Sequence, residues 1–210
     1  VFIIEAEYMN AFASGFSEKS AMIAITRGLA EKLNRTELQA VLAHELSHIR
    51  HMDIRLTLFA SVLSNLILML IDILFWSMLF SGNREREEGR SRNQLGIVIM
   101  VLRYVLPIVT LLLMLYLSRT REYMADSGAV ELMRDNSPLA QALLKIQNDH
   151  ETHQSQYQKA YQRTAHEQVR NQAYIYDPSQ AGISNLGSGN WFSTHPSISD
   201  RLKALGFKVQ

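Results

Sequence analysis

Cysteine is absent from the 210 residues. That excludes a disulfide scaffold, thiolate zinc sites, iron–sulfur clusters and a thiol nucleophile. A metal held by this chain must therefore rest on His, Asp and Glu. An excess of charge is missing as well: 21 Lys and Arg stand against 20 Asp and Glu, for a formal net charge of +1. Such a balance offers no polyanion-binding surface, so no nucleic acid partner is expected. Breakers are scarce in one stretch. Neither Gly nor Pro falls between Gly28 and Gly82, so a helix begun near Glu37 meets no strong stop before the apolar region that follows. No secretory-signal pattern opens the chain at Val1, and the reading is of part of a longer polypeptide.

Long hydrophobic runs are present. A mean hydropathy of −0.05 averages two unlike parts. Leu56–Phe80 is 25 residues with one formal charge, Asp72, and Leu95–Leu117 is 23 residues with one, Arg103. At 1.5 Å per residue each extends roughly 35 Å, enough to cross a hydrocarbon core of about 30 Å. Between them Ser81–Gln94 holds four Arg and three Glu, read as a solvated loop. Two such spans make a transmembrane hairpin with a lipid bilayer as partner; the competing reading is a pair of helices in a soluble protein. Asp72 and Arg103 each lie eight positions from the loop side, at matched depth in an antiparallel hairpin, where an ion pair lowers the cost of burial. Arg flanks both sides, so charge bias does not orient the hairpin.

The remaining elements read as follows. Phe2–Ile4 and Ala21–Thr26 suit strands around a turn-rich middle, and a hairpin is expected. Arg27–Leu33 suits a short helix. Thr36 is the expected N-cap of the next helix, with Gln39 completing a capping box. Leu38, Val41, Leu42, Leu46 and Ile49 then recur at helical spacing. Helices are expected over Ser118–Arg134, after Pro138 to Gln147, and over Pro196–Leu205. Asn148–Gly189, rich in Gln, Asn, His and Tyr, reads as a polar excursion. The domain reading is 1–55, a transmembrane hairpin over 56–117, and 118–210.

The chemistry begins at His44-Glu45-Leu46-Ser47-His48. On a helix, positions i and i+4 share a face, so both imidazoles reach one Zn²⁺. Glu45 stands beside them, placed to take a proton from water. A catalytic zinc needs a third ligand, and no third His follows at a suitable spacing, so a carboxylate is the natural candidate. Glu122 and Asp126 share a helical face at i and i+4. Glu122 would complete a two-His, one-Glu site, and Asp126 could accept a hydrogen bond from a ligand histidine and fix its orientation. His48 is eight residues before the first span and Glu122 five after the second, so a hairpin would return both ligand sets to one membrane face. His51 reads as an exposed or membrane-surface residue; His150 and His153, three apart, could hold a second metal but read as solvated residues, and His166 carries no signal.

Asn10-Ala11-Phe12-Ala13-Ser14-Gly15, Ala40 through His48, Arg121-Glu122 with Ala125-Asp126, and Thr194-His195-Pro196 together resemble the HtpX family, related to the CAAX prenyl proteases. The match runs in order from about residue 8 to 205. The resemblance implies an α+β, mainly helical, zincin-like metalloprotease domain with a small edge-strand hairpin and an inserted transmembrane helical hairpin. It implies a zinc endopeptidase of the bacterial inner membrane, multi-pass, with its active site on the cytoplasmic side, acting on misfolded or damaged membrane proteins. It implies that Asn10, Ala11, Phe12 and Ala13 pair with extended substrate, that His195 stabilises the developing oxyanion, and that Arg201 orders that corner. It also implies a further pair of transmembrane helices ahead of the edge strand, where this chain begins. Two competing readings are a scaffold that binds clients without cutting and a metal transport component. A scaffold has no use for Glu45, and two spans enclose no pathway on their own.

Overall fold

The two β-suited segments and part of the turn-rich middle between them form one small sheet: β1 (Phe2–Ile4), β2 (Ala11–Ser14) and β3 (Met22–Thr26), in the order β1-β3-β2. The computed structural model describes residues 1–17, 19–80, 89–163, 173–183, 193 and 195–208, with backbone alone at 89–93. The antiparallel hairpin is not between the two segments expected to form it: β2, out of the turn-rich middle, pairs with β3, Ala11 opposite Ile25 and Ser14 opposite Met22. Gly15 makes its turn at φ 130°, where a Cβ would meet the Ala21 backbone at 2.5 Å. β1 joins β3 in parallel, Phe2 opposite Ala24, a pairing that local turn signals do not reveal.

The chain divides into two units, residues 1–55 with 118–210, and residues 56–117. In the first, Thr26 ends β3 and caps α1 (Arg27–Lys32) by accepting from the Leu29 N–H. The next helix, α2 (Arg35–Arg50), is capped two residues earlier than expected, by Asn34. Asn34 accepts from the Glu37 N–H, and the Glu37 carboxylate accepts from the Asn34 N–H, each at 2.9 Å. Thr36 is drawn into that box, donating its hydroxyl to Asn34. Asn caps as well as Thr does, and a carboxylate at the third helical position reaches back where Gln39 does not. Glu37 is also buried against Lys145 at 2.6 Å, which fixes the choice.

The uninterrupted run expected from Glu37 into the apolar region is broken. Met52 adopts φ 54° and α3 (Asp53–Phe80) starts afresh. No Gly or Pro marks the break; side chains hold it instead. Asp53 takes a 2.6 Å hydrogen bond with His48 Nδ1 across the bend, and its carbonyl accepts from Arg121 at 3.1 Å.

The core of this unit joins α2 to α5 (Ser137–Thr152) and α7 (Ile198–Ala204), with Ala40, Val41, Leu139, Leu143, Ile146 and Leu202 buried together. A second cluster is aromatic. α6 (Gln154–Arg163) places Tyr157 and Tyr161 on one face, and Tyr161 stacks on Tyr8 at 3.9 Å with Tyr174 and Phe12 alongside. The Asn148–Gly189 excursion is therefore helical through Arg163, followed by a 3-10 turn at Pro178–Ala181; 164–172 and 184–189 lie outside the described residues. Tyrosines supply its apolar area where aliphatic residues are few. His150 is likewise not solvated but wholly buried. Its Nδ1 lies 2.8 Å from the Ile146 carbonyl, which can only accept, so Nε2 accepts from the Tyr161 hydroxyl at 2.9 Å. His153 is half-exposed beside Asp149, His51 is exposed, and His166 lies outside the described residues.

In the second unit α3 continues from Leu56, and α4 (Gly89–Met133) reaches Leu117 with Pro107 inside it. The charged segment is thus helical from Gly89, and 81–88 lie outside the described residues. The stretch beyond Leu117 continues α4 rather than starting a new helix. Both helices are long and apolar enough to cross a membrane, and their most apolar windows are not buried at all. Leu63 and Ile97, for example, are 60% and 63% exposed. Apolar surface of this extent calls for a partner other than water. Within it Arg103 Nε lies 3.0 Å from Asp72, and the guanidinium sits 4.1 Å from the Phe75 ring centroid.

Two outcomes follow. For the spans, Asp72→Asn and Arg103→Gln each lower thermal stability in lipid, and the double variant loses less than the sum; additive losses would contradict the pairing. For His150, burial pulls the pKa down to about 4, below the unfolded value of about 6.5. The unfolded chain then takes up a proton that the folded one refuses, so stability is full above about pH 6.5 and is lost as pH falls towards 4. Thermal melting at pH 7 and pH 4.5 should show wild type losing up to about 3 kcal/mol more than His150→Gln. Equal acid losses in the two proteins would contradict this.

Candidate metal centre

The helical spacing of His44 and His48 on α2 brings their Nε2 atoms to 3.2 Å from each other. Glu122, on the continuation of α4, presents one carboxylate oxygen to each, at 3.7 Å. All three ligand atoms fall within 4.8 Å of one another. The approach of α4 to α2 depends on small residues: a Cβ at Gly128 would meet Ser47 Oγ at 2.1 Å, and Ala125 and Ala129 are buried at the same crossing.

The outer ring nitrogens are committed elsewhere. His44 Nδ1 lies 2.9 Å from Asp126 Oδ1, and His48 Nδ1 lies 2.6 Å from Asp53 Oδ2. Each carboxylate accepts from an Nδ1–H, which leaves Nε2 as a lone-pair donor aimed inward. Two lone pairs facing at 3.2 Å repel unless something positive lies between them. Ligands of a tetrahedral metal with bonds of about 2.0–2.1 Å stand about 3.3 Å apart, so the residues present fit a divalent cation. The same surroundings favour a proton. Burial lowers the His48 pKa, but the hydrogen bond to Asp53 and the charges of Glu122 and Glu45 outweigh it and raise the value to about 9.

Peptidase family M48 matches the chain over residues 1–207. The chain belongs to that family. Among its M48 relatives is a protein named "Protease HtpX homolog" from Helicobacter pylori (strain Shi470), 46% identical over 209 residues that cover all of this chain and 60% of that protein. Another of that name, from Dictyoglomus thermophilum, is 39% identical over 205 residues, covering 98% of this chain and 62% of its own. The chain thus spans about three fifths of the length of the curated relatives it matches. In fold it resembles the crystal structure of S. mikatae Ste24p, with a TM-score of 0.54 at 19% identity, covering 98% of this chain and 45% of that one.

Around the M48 ligand cluster the structure gathers most of the other residues singled out in the sequence. Glu45 is 1% exposed, and among the described residues neither carboxylate oxygen has a hydrogen-bond partner. Burial raises its pKa to about 7, against the pull of His48. Glu122 is held well below the usual carboxylate range: burial would raise it, but the charges of His195, His48 and Arg201 prevail. His195 Nδ1 lies 3.3 Å from Glu122 Oε1, and its ring nitrogens make no hydrogen bond among the described residues. Arg201, from α7, grips Asp126 through Nε at 2.9 Å and Nη2 at 2.6 Å, donates to the Ile175 carbonyl, and comes within 3.7 Å of Glu122. Its charge, with the hydrogen bond to His44, keeps Asp126 ionised despite burial.

The edge strand enters differently from the expectation. Asn10 is fully buried: its amide donates to the Tyr161 hydroxyl and the Tyr176 carbonyl, each at 3.0 Å, and its oxygen accepts from the Tyr176 N–H. The Ala11 carbonyl is taken by the Ile175 N–H at 2.9 Å, and Phe12 packs in the aromatic cluster. Ala13 remains. It shares with Ala11 the side of β2 that faces away from β3, and its backbone lies against the Glu45 carboxylate.

One site residue escaped the sequence. Asp53 orients His48, yet it sits beyond a helix break that no Gly or Pro announces; an Asp five residues past the second His was its only signal. Replacing either orienting carboxylate, Asp53→Asn or Asp126→Asn, should weaken zinc binding by about 10–100-fold in a chelator competition. Unchanged affinity in both variants would contradict this arrangement.

Proposed function

We propose that this chain is the catalytic portion of a membrane-bound zinc endopeptidase, with misfolded or damaged membrane proteins as its substrates. The observation that supports it most is the Glu45 carboxylate, which no side chain bonds among the described residues and which is buried beside three convergent ligand atoms. Burying a carboxylate without a hydrogen bond is costly, and a fold tolerates that where the group works. Imidazole and carboxylate donors with no thiolate suit zinc in its catalytic form, with a position left open.

His44, His48 and Glu122 would hold the ion, which when bound polarises the scissile carbonyl and makes water a nucleophile at neutral pH. Glu45 takes the proton from the attacking water and later delivers it to the leaving amine. His195, whose Nδ1 pairs with Glu122, donates through its other ring nitrogen to the oxyanion that develops on the carbonyl. Asp126 and Asp53 hold the ligand imidazoles in one tautomer, and Arg201 holds Asp126. An extended substrate adds to the sheet at Ala13 by backbone hydrogen bonds, which makes recognition tolerant of sequence. α3 and α4 cross the bilayer, and the location we infer is the bacterial inner membrane with the site on the cytoplasmic side. This reading is supported by the apolar surface of both helices and by the likeness to HtpX homologues.

Glu45→Gln should retain zinc in metal analysis and cleave an unfolded reporter about 10²–10⁴-fold more slowly than wild type. Turnover at the wild-type rate would remove Glu45 from this role.

A further inference from the structure

The β2–β3 turn carries an aromatic ring that stands about half out of the described residues. Phe16 is 52% exposed, yet its backbone is firmly built. Ser20 Oγ accepts from the N–H groups of Phe16 and Ser17 at 3.1 and 3.0 Å. The turn is also tied to one place on the chain: the Phe16 carbonyl accepts from Arg55 Nε, and the Arg55 guanidinium lies 5.5 Å from the Phe16 ring centroid. Arg55 is the third residue of α3, where the sequence turns apolar and stays so to Phe80. Met52 and Ile54, at 46% and 39% exposure, flank it, and Lys19 is exposed at the tip. An outward aromatic ring beside cations, next to the start of a membrane-length helix, is the composition of a bilayer interface.

We propose that this turn is a membrane-surface contact, in which Phe16, Met52 and Ile54 seat among lipid headgroups while Arg55 and Lys19 meet their phosphates. The proposal rests on the reading of α3 as a span. It also narrows the substrate. Ala13 is three residues from Phe16, at most about 10 Å even fully extended, so a chain pairing there is engaged beside the bilayer surface. The segments presented for cleavage are then juxtamembrane stretches that leave the bilayer in extended form, rather than sequences far out in solution.

The absence of cysteine allows a direct test, since one introduced Cys is the only site for a nitroxide label. Phe16→Cys would be compared with Leu63→Cys on the exposed face of α3 and Gln141→Cys on the exposed face of α5. Each would be reconstituted in phosphatidylcholine–phosphatidylglycerol nanodiscs. Collision with oxygen, which concentrates in lipid, is measured against collision with a nickel chelate, which stays in water. The label at position 16 should favour oxygen over the chelate, shifted the same way as Leu63 though less far, with Gln141 opposite. A position-16 label that matches Gln141 while Leu63 reads as lipid overturns the contact and leaves the span intact. Aqueous readings at both 16 and 63 overturn the span itself, and the contact with it.

Discussion

Arg201 is almost fully buried, and the paired hydrogen bonds it donates to Asp126 are the contact on which the site depends. A guanidinium removed from water needs compensation that only well-placed carboxylates give. Here Asp126 supplies it at hydrogen-bond distance and Glu122 more remotely. Because Asp126 also receives His44 Nδ1, one carboxylate links α7, α4 and α2, segments 75 and 157 residues apart in the chain. The small residues at the α2–α4 crossing make room for that link. Were Ser47 or Gly128 larger, Glu122 could not face both imidazoles.

The site is a concentration of buried charge that a fold would not retain for stability alone. His44, Glu45, Glu122, Asp126, His195 and Arg201 all fall below about a tenth exposed. Most of them neutralise one another in pairs that face outward from the cluster, and these pairs set the direction of everything else. Each ligand imidazole is fixed from behind, which leaves its inner nitrogen bare. What no side chain satisfies among the described residues is small and central: the Glu45 carboxylate and the Nε2 of His195. Beside it the backbone of Ala13 offers an extended chain a place to pair. The proposed function assigns these groups a cation position, a base, a donor for developing negative charge and a strand edge, all within one unit.

Residues that act through spacing on a single helix were legible in the sequence. His44, Glu45 and His48 follow from a four-residue period, and so does the pairing of Glu122 with Asp126. The two long apolar helices follow from length and composition, and the Asp72–Arg103 contact from matched depth. His195, Arg201 and Asn10–Ala13 came only by resemblance, because nothing local marks residues whose partners lie on other elements: Glu122 for His195, Asp126 for Arg201, Tyr176 for Asn10 and Glu45 for Ala13. Elsewhere the sequence misled for physical reasons. Asn34 caps α2 in place of Thr36 because Glu37 closes the box and meets Lys145. The bend at Met52 is held by Asp53 and Arg121 rather than by a breaker residue. The polar stretch after Asn148 hides an aromatic core, and His150 is buried there because Tyr161 and the Ile146 carbonyl satisfy both of its ring nitrogens.

The central claim is that two imidazoles and the Glu122 carboxylate hold one zinc, with His195 beside the ion rather than bound to it. X-ray absorption at the zinc edge of the loaded protein tests it most directly. The account predicts nitrogen and oxygen neighbours at about 2.0–2.2 Å, no sulfur, and the outer-shell scattering of two imidazole rings. Glu122→Gln should change the inner shell and leave the imidazole count at two. A signature of three imidazoles, or an inner shell untouched by Glu122→Gln, would contradict the account.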